Sequence, residues 1–232
     1  MVDFQTTLPD TFDMGRFQAL AEALHDRYPV VEQQTQHQAF LRIGLGVSAA
    51  DVKEPQLRGY VFRSADRLTI AQFRRDGFTF NRLRPYTSWD ELRPEALRLW
   101  ELYRKTADPP PCTRLSLRYI NQIEIPIPGA DLTDYFILLP GFPADISTPM
   151  TEFLTRIVLV DPELNAGATV VLASQVGPNP NLAVIILDID AYRQVPDGIV
   201  HDRVPQAFSD LRALKNRIFF GSVTETTLRR YQ

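Results

Sequence analysis

RGYVFRSADRLTIAQFRRDGFTFNRL, residues Arg58 to Leu83, decides how this chain folds. It holds three short runs, Gly59 to Ser64, Arg67 to Arg74 and Gly77 to Leu83, rich in the aromatic and β-branched residues that favour strands. Ala65-Asp66 and Arg75-Asp76-Gly77 between them have the lengths and residue types of hairpin turns. Gly77 can take positive φ at no steric cost. Connections this short exclude parallel crossovers, so the stretch is expected to be an antiparallel meander.

On the C-terminal side, Ser88 followed by Glu91 has the form of a capping box. It opens an expected helix near Ser88 to Lys105 with an apolar stripe at Leu92, Ala96, Leu99, Trp100 and Tyr103. Pro94 either kinks that helix or opens its main part as the first residue. On the N-terminal side, Met14, Phe17, Leu20, Ala21 and Leu24 share a helical face over Asp13 to Arg27, with Asp13 as N-cap. Ala39, Leu41, Ile43, Leu45 and Val47 alternate with other residues and predict a strand over His37 to Val47. Ser48 to Gln56 reads as a charged loop.

Ala107-Asp108-Pro109-Pro110-Pro111 is a stiff connection. Beyond it, Arg114 to Ile125 is the clearest strand. Leu115, Leu117, Tyr119, Asn121, Ile123 and Ile125 form one face; Arg114, Ser116, Arg118, Ile120, Gln122 and Glu124 form the other. A proline-rich segment follows, with a short helix expected at Leu132 to Phe136. Glu152 to Val160, Ala168 to Val176 and Leu182 to Asp190 read as a second meander, and Pro205 to Phe220 as a closing helix stopped by Gly221. Three strands then a helix thus occur twice. The expected architecture is α+β, mainly antiparallel sheet in two meanders, packed against amphipathic helices. The expectation is one domain over 1–232 with pseudo-repeat halves at 30–125 and 150–232.

Composition narrows the class. Of 232 residues, 44% are hydrophobic and 23% charged, which is ordinary for a globular core. The one cysteine, Cys112, cannot form an internal disulfide and fits a reducing compartment. No apolar run is long enough for a membrane helix. The opening MVDFQTTLPDTFD lacks the basic and apolar regions of a signal peptide, so the chain reads as cytoplasmic. Net charge is −3, yet Lys53 to Lys105 carries 12 basic and 7 acidic residues, a balance of +5, nearly all of the cations arginine.

Several segments together are familiar: Gly77-Phe78-Thr79-Phe80-Asn81-Arg82-Leu83, Pro85-Tyr86-Thr87-Ser88-Trp89, Arg118-Tyr119-Ile120-Asn121, and Leu187-Asp188-Ile189-Asp190-Ala191-Tyr192, with Ala213-Leu214-Lys215 leading to Phe219-Phe220. From Phe17 onward the chain resembles a sporadically distributed bacterial family of uncharacterised proteins of about this length. The resemblance implies no reaction, and its patchy distribution implies mobile or defence-associated gene sets. Family members open with Pro-Pro and a strand. Met1-Val2-Asp3-Phe4-Gln5 stands there instead, so that strand is expected to be altered or missing.

The polar residues offer three chemistries. Asp188 and Asp190, two apart on a strand, place two carboxylates on one face, as a Mg²⁺ site or an acid–base pair needs, with Glu124 as a third oxygen ligand. The opposing expectation is that they end a strand and meet arginines such as Arg118. Asn121 falls on an apolar face, where its amide must find partners and ties neighbouring backbone together. Arg63, Arg74, Arg75 and Arg82, interleaved with Tyr60, Phe62, Phe73, Phe78 and Phe80, form a candidate nucleic-acid or anion face on 58–84. His25, His37 and His201 lack metal-ligand spacing, and with Cys112 they make no nucleophile–base set. Gly44-x-Gly46 lacks the third glycine of a dinucleotide loop. No catalytic residue, metal or cofactor is therefore assigned. The leading expectation is a non-enzymatic protein- or peptide-binding component whose partner is another protein. A nucleic-acid-binding module and a metal-dependent enzyme centred on Asp188 and Asp190 are the alternatives.

Overall fold

The computed structural model describes residues 1–36, 39–41, 50–52, 56–127, 131–141 and 151–230. The protein is α+β, mainly antiparallel sheet with helices. It divides into two compact units, Met1–Arg114 with Pro196–Ile199, and Leu115–Val195 with Val200–Gln232.

The first unit is built on the meander. Strands β1 (Val2–Gln5), β2 (Val30–Gln36), β5 (Gln56–Arg63), β6 (Thr69–Arg74) and β7 (Gly77–Arg82) lie in the order β2-β5-β6-β7-β1. Strands β3 (Ala39–Leu41) and β4 (Ala50–Val52) pair with each other. All these pairings are antiparallel, as the short turns require. Period two then stacks aromatic residues in register: Tyr60 faces Phe73, Phe73 faces Phe78, and Phe78 faces Phe4. Two short helices, α1 (Gly15–Gln18) and α2 (Leu20–Leu24), and the long α3 (Trp89–Ala107) supply the facing layer. Trp100 stacks on Phe4 at 4.4 Å and on Tyr103 at 5.3 Å, and Phe17 stacks on Tyr103 at 5.1 Å. Buried Tyr103 keeps its hydroxyl satisfied by donating to the Arg74 carbonyl at 2.8 Å. The other sheet face buries Asp3, whose carboxylate accepts from Thr79 Oγ1 and Arg74 Nη2.

Three expectations change here. The opening segment, altered or missing by resemblance, is strand β1, with Val2 and Phe4 buried against β7. Gly77 makes that possible twice over: its φ of +138° turns the hairpin, and a Cβ there would stand 2.0 Å from the Phe4 carbonyl oxygen. The helix over Asp13 to Arg27 is two pieces meeting at Ala19, whose ψ of −17° is flatter than an α-helix holds. Asp13 still accepts from the Gly15 amide at 2.8 Å. Of the strand over His37 to Val47 only Ala39–Leu41 is described, and it is strand β3; the Ser48 to Gln56 stretch, expected as a loop, contains strand β4 at Ala50–Val52 and the start of β5, while Gly44-x-Gly46 lies outside the described residues; β2 precedes them as a further strand. Helix α3 runs unbroken through Pro94 from its Ser88 cap, whose hydroxyl accepts from the Glu91 amide. It ends at left-handed Asp108, and Pro109 to Pro111 then lead on, with Pro111 lying where a side chain on Gly198 would have to sit.

The second unit carries most of β8 (Cys112–Pro126) and β11 (Leu182–Ile199), with β9 (Leu154–Asp161) and β10 (Ala166–Gln175), in the order β8-β11-β10-β9. The pairings of β9 with β10 and of β10 with β11 are antiparallel. Ala168, Val170 and Leu172 of β10 face Ala191, Ile189 and Leu187 of β11, and all six are buried. Helix α4 (Val204–Ser222) packs on β10 and buries Phe208, Leu211 and Leu214. Gly221 does not stop it; the helix ends one residue later, and α5 (Glu225–Arg229) follows. Leu132 to Phe136 holds a single 3-10 turn, Leu132–Asp134. Strand β11 continues well past Asp190, where the two carboxylates had suggested its end. No described helix is long and apolar enough to cross a membrane.

Candidate interaction surface

Alternation divides the second unit's sheet into two unlike faces. One is the apolar face under α4. The other is set by register, row by row. Leu154 of β9 faces Ala173, which faces Ile186 of β11. Arg156 faces Val171, which faces Asp188. Val158 faces Thr169, which faces Asp190. Val160 faces Gly167, which faces Tyr192. A Cβ on Gly167 would come within 2.8 Å of the Tyr192 ring, so the glycine lets that ring lie across the sheet.

Arg118 of β8 reaches this face and grips Asp188 with two donors, Nε to Oδ1 at 2.8 Å and Nη2 to Oδ2. The hydrogen bond to Asp188, against some desolvation and with the Asp188 and Asp190 charges, holds the guanidinium above its ordinary pKa. Asp188 is thereby committed to an arginine. Glu124, the third ligand considered, accepts from Gln122 Nε2 at 3.2 Å. Among the described residues, no group of three or more His, Cys, Asp or Glu is placed to hold a metal ion.

Asn121 is on the opposite face, where its Nδ2 donates to the Leu187 carbonyl at 2.9 Å and ties β8 to β11. It does not join Arg118, Asp188 and Asp190. Beside it on that face, Tyr119 carries the Lys215 ammonium 4.1 Å above its ring. Burial, with Arg212 nearby, pushes the Lys215 amine down to about 8.

The end strand β9 is the least expected part. Leu154, Val158, Leu159 and Val160 are 73%, 49%, 40% and 79% exposed. The unbroken run Ile157 to Val160 reads as a strand buried on both faces. Its place at the end of the order of the described strands leaves these side chains exposed instead. Ile120 on β8, 61% exposed, adds to the same open face as Arg118. An apolar strip on an end strand, crossed by one charged row, suits pairing with another polypeptide.

The arginine-rich meander has a different character. Arg63 pairs with Glu32 at 3.0 Å, and Arg74 bridges Asp3 and Asp76. Arg75 donates to the Pro9 and Phe12 carbonyls, and Arg82 donates to Thr69 Oγ1 at 2.9 Å. The aromatics between them, Tyr60, Phe62, Phe73, Phe78 and Phe80, are all buried. The stacking surface considered from the sequence is therefore inside the core. Cys112 is buried too, and burial pushes its thiol up to about 12. His25 and His201 lie in separate units, and His37 is outside the described residues. No family model, no curated protein and no solved structure matches this chain.

Proposed function

We propose that this is a non-enzymatic protein-binding component that engages its partner through strand β9 and the open sheet face beside it. The observation that supports this is the exposure of Leu154, Val158, Leu159 and Val160 on a strand at the end of the order. Backbone N–H and C=O groups on a free strand edge give affinity to an added strand, and side chains on alternate positions give specificity. Burying four aliphatic side chains that now face water supplies a driving force of roughly 25 cal/mol for each Å² covered. The Arg156–Asp188–Arg118 row would set register, because a charged row admits a partner only where its own charges match.

The test is quantitative capture from the native host with wild type and the Val158→Asp/Val160→Asp variant as baits. A specific protein retained by the wild type and depleted on the order of tenfold by the variant is expected. Equal retention by both baits would remove the β9 surface from consideration. A nucleic-acid role draws less support, since the arginines at 63, 74 and 75 are spent on carboxylates and carbonyls within the first unit.

A further inference from the structure

The first unit contains a cleft of about 370 Å³, apart from the β9 surface and independent of its role. Its apolar lining is Phe80 and Leu92, both buried, with Tyr28 and Tyr86. Its charged lining is two arginines and two glutamates, and these differ in how far they are already satisfied.

Glu95 is saturated. Its oxygens accept from Arg27 Nη1 at 2.6 Å, Tyr28 Oη at 2.8 Å, and Arg98 Nε and Nη2 at 2.9 and 2.8 Å. Burial would raise its carboxyl, but the hydrogen bonds from Arg98 and Tyr28, with the charges of Arg98 and Arg27, overcome that and hold it below the ordinary range. It has no lone pair left for a ligand of the cleft. Arg82 is the reverse. Its Nη1 is fixed by Thr69 Oγ1 at 2.9 Å and lies 3.7 Å from Asp66. Among the described residues, no acceptor is hydrogen-bonded to its Nε or Nη2. Those two atoms form one edge of the guanidinium, with parallel N–H donors spaced to match a carboxylate.

We propose that this cleft binds a small monocarboxylic acid with a compact apolar body, the carboxylate on the Nε–Nη2 edge of Arg82 and the body against Tyr86, above Phe80 and Leu92, which are buried and offer it little surface. The volume is near the lower end for small-molecule sites, which suits a ligand of one ring or a short chain. Glu91, also in the lining, accepts through its side chain, among the described residues, from Thr87 Oγ1 alone and brings a carboxylate to the cleft wall. A second negative charge on the ligand would be repelled there, so monoacids are selected over diacids.

The experiment is isothermal titration of the full chain with 3-phenylpropionate, its neutral analogue 3-phenylpropanamide, and the diacid phenylsuccinate. Saturable binding of the monoacid is expected, with the amide and the diacid each weaker by on the order of tenfold. Arg82→Gln is expected to abolish it. Glu91→Gln is expected to tighten it about threefold, a gain that a merely damaged fold would not produce. Absence of saturable monoacid binding up to about 10 mM, equal binding of acid and amide, or unchanged binding in Arg82→Gln would each overturn the proposal.

Discussion

Strands β2 and β9 each stand last in the order of their unit, and they are dressed in opposite ways. Strand β2 reads VVEQQTQ, with Glu32, Gln33 and Thr35 exposed and Glu32 paired to Arg63. Strand β9 reads LTRIVLVD and leaves four aliphatic side chains in water. Polar and charged side chains on a terminal strand discourage further pairing, because adding a strand would strip them of solvent. An aliphatic terminal strand invites it. The lesson is that end position does not decide whether an edge recruits a neighbour; side-chain dress does.

The comparison rests on β9 being surface and the meander being core, and the largest expected effect tests that. Phe73 is fully buried and touches the rings of Phe17, Phe62 and Phe78 at 5.7, 5.2 and 5.1 Å. Phe73→Ala should cost about 3–5 kcal/mol in urea unfolding. Val158→Ala should cost less than about 0.5 kcal/mol. Similar costs for the two would show that β9 is packed, and the contrast would collapse. Next in size is a swap of dress. Glu32→Val/Gln33→Val should make β2 resemble β9 and strengthen self-association on the order of tenfold in sedimentation. A variant that stays as monodisperse as the wild type would mean that something other than side chains protects β2.

A smaller effect concerns the charged row. In a double-mutant cycle, Arg118→Ala and Asp188→Ala should couple by about 0.5–1 kcal/mol and less in high salt, since Arg118 is 40% exposed. Zero coupling would strip the row of any organising role on the open face. A separate effect, on the pH dependence of stability, belongs to the covered face. The folded Lys215 amine, at about 8, holds its proton less tightly than the unfolded one at 10.5. Between those values the unfolded chain binds more protons, so stability rises with pH across that window. The cost of the buried charge is fully present below it. Lys215→Met should be the more stable protein at pH 7 and should lose the rise; an identical pH profile in both would place the amine in solvent.

Much of the architecture was legible because local chemistry leaves few choices. Two- and three-residue turns force antiparallel neighbours, so the Arg58 to Leu83 meander followed from spacing. Ser88 and Glu91 announced the start of α3 for the same reason. Strand β1 was harder: four residues carry little periodicity, and its partner lies far along the chain. Strand β11 hid its length because Asp188 and Asp190 look like a strand meeting solvent, while in the fold they sit mid-strand on the open face. Charge and alternation point to Arg118 meeting Asp188, yet nothing in the sequence marks the exposed strip on β9. An unalternating aliphatic run signals burial on both faces, and only the strand order reveals that, among the described strands, it has a neighbour on one side alone. The free edge of Arg82 was equally invisible, since it depends on which of its nitrogens Thr69 occupies.

The backbone at Gly198 has φ +91°, and a methyl group there would overlap the Pro111 ring at 2.3 Å. Pro109 to Pro111 have less freedom to swing aside than other residues, because each ring locks its own φ. Position 198 is thus a keyhole sized for hydrogen, and it clasps the last residues of β11 to the rod of prolines that leaves α3. Even alanine would hold the clasp ajar. The opening would be local, seen as faster amide exchange across 196–199 while the Phe73 core kept its protection.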